Sequence, residues 1–178
     1  MMNRRDFLFS GGVMSIGFLM SNNAWAKIKA GTPRVLTLSN ANTGETLKSE
    51  YFDGRRYDPQ ELKRLNKLFR DFRRNESTKI DIELFDYLFN LTHMLEINKT
   101  VTLLSGYRAP ATNQMLRAST RGVAKKSYHT RGQAMDFRIA GVDIKHLHKA
   151  ALKLRAGGVG YYPRNNFLHI DTGPFRSW

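Results

Sequence analysis

Apolar residues alternate with polar ones in some stretches of this chain and recur at helical spacing in others, which divides it into elements. Val35-Leu36-Thr37-Leu38 and Leu47-Lys48-Ser49-Glu50-Tyr51-Phe52 read as strands. Between them Asn40-Ala41-Asn42-Thr43-Gly44 supplies turn residues, so a hairpin is expected. Asp58-Pro59-Gln60-Glu61 opens a helix, with Asp58 as N-cap, Pro59 at the first helical position and Glu61 as the capping-box carboxylate. Leu62, Leu65, Leu68, Phe69 and Phe72 continue that helix at helical spacing, while lysines and arginines cover its other face. A second helix is predicted over 82–97, where Leu84, Leu88, Leu91 and Leu95 form one stripe and Phe85 and Phe89 broaden it.

Beyond the helices the period falls to two. Val101-Thr102-Leu103-Leu104-Ser105 reads as a strand running into Gly106-Tyr107-Arg108 and a break at Pro110. A short helix over 113–117, a loop over 122–126 and a strand over 134–139 follow. A helix over 144–155, ended by Gly157-Gly158, precedes strands over 159–161 and 167–171. Helices first and strands after them predict a single α+β domain, its N-terminal helices packed on a mainly antiparallel sheet.

The first 26 residues stand apart from this domain. Asn3-Arg4-Arg5-Asp6-Phe7-Leu8 is a twin-arginine pattern, an apolar run extends to Met20, and Ala24-Trp25-Ala26 fits a small-x-small cleavage site. The expected organisation is a leader over 1–26 and a mature domain over 27–178, exported to the periplasm. An uncleaved anchor is the alternative, although the run is short for a membrane span. No cysteine occurs, which excludes disulfides, thiolate metal sites and a lipoprotein anchor.

Formal net charge is +14; Arg4, Arg5 and Asp6 give the leader +1, so the mature part keeps +13. That balance favours an acidic partner. For an exported protein, anionic envelope polymers fit better than nucleic acid, and no stable membrane insertion is expected after cleavage.

Candidate chemistry comes from the alternation. Met135, Phe137 and Ile139 point to one face of their strand and Asp136 to the other. His169 and Asp171 share a face, with Leu168 and Ile170 behind it. If the two strands are neighbours, Asp136 and His169 approach one point, and His129 returns to it through a turn at Gly132. Two imidazoles and a carboxylate are a complete protein ligand set for a catalytic zinc, Zn2+, with its fourth position open. The alternative is a packed strand histidine beside an aspartate that accepts main-chain hydrogen bonds, and spacing does not choose between them. His93 lacks a second ligand at a neighbouring turn and reads as structural or solvent-facing. His146 and His148 point to different sides of a helix and read as surface residues. Lys125-Lys126 reads as a solvated loop.

Ser127-x-His129-x-x-Gly132-x-Ala134-x-Asp136, with Ser105-Gly106-Tyr107-Arg108 upstream and His169-Ile170-Asp171-Thr172-Gly173-Pro174 downstream, resembles the zinc peptidases of the lysostaphin, D-alanyl-D-alanine and hedgehog type. The likeness is greatest to their exported murein endopeptidases and covers nearly the whole chain. It implies that His129, Asp136 and His169 hold zinc and that Arg108 grips the substrate and stabilises an oxyanion. It further implies hydrolysis of peptide cross-links between peptidoglycan stem peptides. Ser127 would orient substrate or ligand, or close a turn. One departure matters: where several members carry a Glu or His base shortly before the last zinc histidine, this chain has Asn166 and Phe167. Asp171 is then the candidate base, or alternatively a partner that orients His169. Two other readings stay open: an inactive zinc-containing peptidoglycan-binding module, and a basic nucleic-acid- or lipid-binding domain.

Overall fold

The computed structural model describes residues 31–120 and 122–178; the leader expected over 1–26 and its expected cleavage site lie outside them. Seven strands form one mixed sheet: β1 (Arg34–Asn40), β2 (Thr46–Phe52), β3 (Val101–Ser105), β4 (Ala134–Ile139), β5 (Gly158–Tyr162), β6 (Phe167–Asp171) and β7 (Arg176–Ser177). Their order across the sheet is β2-β1-β3-β4-β6-β5-β7. The β1/β3 and β5/β7 pairs are parallel and the other four antiparallel, so the expected α+β class and mainly antiparallel sheet are what the chain builds. The helices among the described residues are α1 (Pro59–Leu68), α2 (Ile82–Met94), α3 (Pro110–Ser119) and α4 (Ile144–Leu154). None is long and apolar enough to cross a membrane. Two of the four come before β3 and two after it, so the helices are not confined to the N-terminal half.

Alternation along the central strands sorts their side chains between two faces. Met135, Phe137 and Ile139 of β4 and Leu168 and Ile170 of β6 join one buried cluster with Leu84, Phe85 and Leu88 of α2 and Leu147, Ala150 and Leu154 of α4. Asp136, His169 and Asp171 are left on the opposite face. Burial of the large apolar side chains at roughly 25 cal/mol per Å² holds the register that puts the polar residues there.

Several boundaries differ from the sequence expectation, for local reasons. Asp58 does cap α1, accepting from the main-chain N–H of Gln60 and Glu61. Glu61 does not complete a capping box, because the Asp58 N–H donates to the Tyr51 carbonyl. The helix stops at Leu68, not Phe72, since the Phe69 carbonyl turns to accept the Tyr107 N–H at 2.7 Å. α2 ends at Met94, with Glu96 left-handed at φ 52°. Pro110 starts α3 and does not merely break the strand, because a proline suits the first helical turn. β7 has too short a pattern to read from sequence.

Phe137 is fully buried beneath the functional face. Phe137→Ala is expected to lower the unfolding free energy by about 3–5 kcal/mol in urea denaturation.

Candidate metal centre

A single row across the sheet carries the site. Ser105 of β3 pairs with Asp136 of β4, Asp136 pairs with His169 of β6, and His169 pairs with Gly160 of β5. A register shift between Leu103 and Ser105 bends β3 beside the row, a common device for re-aiming side chains next to functional sites. His129 arrives from a 3-10 turn at Tyr128–Arg131 that ends on Gly132, left-handed at φ 68°. A side chain at Gly132 would also meet the Lys79 carbonyl at 2.7 Å, so this reversal needs glycine for conformation and for space. One ligand atom from each of His129, Asp136 and His169 then lies within 4.8 Å of the others.

Hydrogen bonds on the far side of each ring set the chemistry. His129 Nδ1 lies 2.7 Å from the Gly106 carbonyl, which only accepts, so Nδ1 carries a proton and Nε2 is the nitrogen that faces the cluster. His129 Nε2 is 3.4 Å from Asp136 Oδ1. His169 Nε2 lies 2.9 Å from Asp171 Oδ2, an ionised acceptor, and its Nδ1 faces Asp136 Oδ1 at 2.8 Å. Burial alone would lower the His169 pKa, but hydrogen bonds to Asp136 and Asp171 outweigh it and raise the value. For Asp136, burial opposes ionisation, yet the charges and hydrogen bonds of both imidazoles hold the carboxyl below its usual range. No main-chain N–H binds the Asp136 carboxylate among the described residues, so its hydrogen-bonding partners are the two rings. A half-buried carboxylate facing two ring nitrogens, each ring anchored by its other nitrogen, is a donor set suited to a divalent cation.

Asp171 lies behind His169, on the far side of that ring from Asp136. It is fully buried, and the His169 ring stands between it and the cluster. Oδ1 accepts from the Gly158 and Gly173 N–H groups and Arg176 Nη1; Oδ2 accepts from His169 and Arg176 Nη2. Burial would raise its pKa, but His169 and Arg176 hold it below the ordinary carboxylate range. Of the two roles weighed for Asp171, the arrangement suits orientation of His169.

Arg108 lines the same cleft, which has a volume of about 610 Å³. Its side chain reaches Asn113 Oδ1 at 3.3 Å and Ser105 Oγ at 3.5 Å, and no carboxylate pairs with it among the described residues. Burial is the main influence on its guanidinium and lowers the pKa, while Asp136 pushes the other way. Its main chain is braced on both sides: the Arg108 N–H donates to the His129 carbonyl, and the Ala109 N–H to Asp71 Oδ2. Gly106 sits where a Cβ would strike the Phe69 carbonyl at 2.6 Å, which ties this segment to the end of α1.

The remaining candidates fall away from the cluster or at its rim. Ser127 is buried at the cleft, where its carbonyl closes the turn by accepting the Thr130 N–H and hydroxyl. Lys125 and Lys126 are exposed, Lys126 at the border of the cleft. His93 and His146 are exposed, whereas His148 is half-buried and stacks on Tyr161 at 4.6 Å, a contact that periodicity alone does not reveal. Arg176 escaped the sequence reading; its signal is a cation five residues after an aspartate on a buried strand face.

The arrangement suits metal-assisted hydrolysis of an amide, a peptidase's chemistry. Comparison with known proteins agrees: the peptidase M15 family model described as "Peptidoglycan L,D-endopeptidase MepK" matches residues 28–178. Peptidoglycan L,D-endopeptidase MepK of Escherichia coli K12 is 54% identical over 176 residues, 99% of this chain and 97% of that protein. The probable peptidoglycan L,D-endopeptidase MepK of Haemophilus influenzae is 44% identical over 177 residues, 99% of this chain and 95% of its own. The chain belongs to the MepK family of M15 peptidases.

Asp171→Asn keeps the shape but weakens the acceptor behind His169. Zinc affinity is expected to fall about 10–100-fold in a chelator-competition titration, with the far-UV circular dichroism unchanged.

Proposed function

We propose that this protein is a periplasmic, zinc-dependent murein endopeptidase that hydrolyses peptide cross-links in peptidoglycan during cell-wall growth. The observation that carries this reading is the pair of imidazoles anchored by Gly106 and Asp171, both turned on a carboxylate that has no main-chain donor among the described residues. The relatives' name, L,D-endopeptidase, supplies the substrate class and favours an amide joining an L-centre to a D-centre. The expected leader over 1–26 supplies export by the twin-arginine route, leaving 27–178 as the working domain.

Held by His129, Asp136 and His169, a zinc ion would supply Lewis acidity and a water acidic enough to attack an amide near neutral pH. The protein's own groups do the rest. Arg108 enters the cleft without a carboxylate partner among the described residues, so its donors are available to the scissile carbonyl and to the negative charge that grows on that oxygen. Asp171, held by Arg176, keeps His169 in one tautomer and one orientation. The positive net charge draws the enzyme to the free carboxylates of the wall, an attraction that weakens as salt rises.

A second reading, a catalytically inactive zinc-containing module that binds peptidoglycan, draws support from one observation. Among the described residues lining the cleft, Asp136 is the only carboxylate, so no second carboxyl stands ready as a proton acceptor.

Mass spectrometry of cross-linked muropeptides incubated with the purified protein and zinc separates the two. The peptidase reading expects dimers to become monomers, but not after chelation or in His129→Ala. Dimers that survive while the protein holds stoichiometric zinc would establish the binding module. Arg108→Ala is expected to lower kcat about 10²–10³-fold with zinc content unchanged, measured by the same cleavage assay.

A further inference from the structure

Trp178 stands at the cleft with 50% of its surface exposed and takes no part in the buried core. Even so, it is held firmly. Its main-chain N–H donates to the Val159 carbonyl at 3.2 Å, and its main-chain oxygen accepts the Tyr161 N–H at 3.0 Å. Its indole Nε1 donates to the Tyr162 hydroxyl oxygen at 2.8 Å. The Arg176 guanidinium lies over the ring, 5.0 Å from its centroid. These contacts set the indole beside His169, with ring centroids 5.2 Å apart and planes at 52°.

The seat for this ring is built into the sheet. Gly160 is the cross-strand partner of His169, so its missing side chain leaves a gap directly beside a cluster residue. A Cβ at Gly160 would come within 2.8 Å of two indole atoms. Trp178 thus extends the Ser105-Asp136-His169-Gly160 row by one more group. A large aromatic face fixed in solvent adds little to folding stability and gives a preorganised surface for a ligand to cover.

We propose that Trp178 is a substrate-contact residue whose indole face takes the aliphatic part of the stem peptide next to the scissile amide. The proposal rests on the endopeptidase reading and adds a specificity wall to it. Stem peptides carry methyl and methylene groups between charged ends. The indole suits the hydrocarbon, while Lys126 at the border of the same cleft suits a carboxylate. Such packing is already present before the amide is attacked, so it strengthens substrate binding more than it speeds the chemical step.

The chain contains two tryptophans, Trp25 and Trp178, so Trp25→Phe in the full chain makes Trp178 its sole indole fluorophore. Titration of that protein with cross-linked muropeptide, with and without chelator, is expected to give a saturable change in tryptophan fluorescence. Trp178→Ala is expected to raise KM about tenfold with kcat within twofold and zinc content unchanged, and Trp178→Phe to recover most of the loss. Gly160→Ala, which displaces the ring but leaves it in the chain, is expected to raise KM in the same way. Saturable fluorescence without cleavage would support the contact while defeating the peptidase reading. Cleavage with unaltered fluorescence and a KM indifferent to Trp178→Ala would overturn the contact and leave the peptidase standing. A fall in kcat and zinc content at constant KM would also overturn it, assigning the indole to packing around His169.

Discussion

Everything at the candidate centre depends on the register of β4 against β6, which sets Asp136 directly opposite His169. Side chains alternate along both strands, so a slip of one residue would send these two groups into the core and bring Met135 or Leu168 out. Apolar burial prevents that slip. Phe137, Leu168 and Ile170 are fully buried against α2 and α4, and exposing them would cost several times the worth of any hydrogen bond at the site. A chemically demanding polar cluster is thus positioned by hydrophobic side chains on the other face of the sheet.

Two anchors convert that placement into chemistry. Behind one ring stands the Gly106 carbonyl, in a segment held by the end of α1 and by Asp71; behind the other stands Asp171, held by Arg176 and two main-chain N–H groups. Each anchor decides which ring nitrogen keeps its proton when a metal binds, and therefore which one would offer its lone pair to that ion. Burial of Asp171 fits this role, because an ionised carboxylate away from water is tolerable only when its oxygens are fully used. Arg108 differs from Arg176 in the same terms. One guanidinium is committed to a carboxylate, while the other has weak, uncharged contacts and remains available to a ligand.

Much of this is legible in the sequence, and the reasons are specific. The alternations around Asp136 and His169 predict which faces those residues take, and Ser105-Gly106-Tyr107-Arg108 marks a strand end that turns into the site. The cap at Asp58 and the strands 101–105, 134–139 and 167–171 are read at their true positions because local pattern and tertiary burial agree there. Other features depend on partners distant in sequence. The early end of α1 follows from a carbonyl claimed by Tyr107, and the uncompleted capping box from an N–H claimed by Tyr51. Likewise, the role of Asp171 turns on Arg176, whose two-residue strand has no readable period. Trp178 gains its place only through the empty position at Gly160 on another strand.

The central claim is that His129, Asp136 and His169 hold one metal ion through nitrogens chosen by Gly106 and Asp171. Anomalous diffraction at the zinc edge from crystals of the zinc-loaded protein tests it most directly. The account predicts one strong peak, shared by His129 Nε2, the Asp136 carboxylate and His169 Nδ1. A peak bound through the opposite ring nitrogens, or a cluster left empty while zinc occupies other residues, would contradict it.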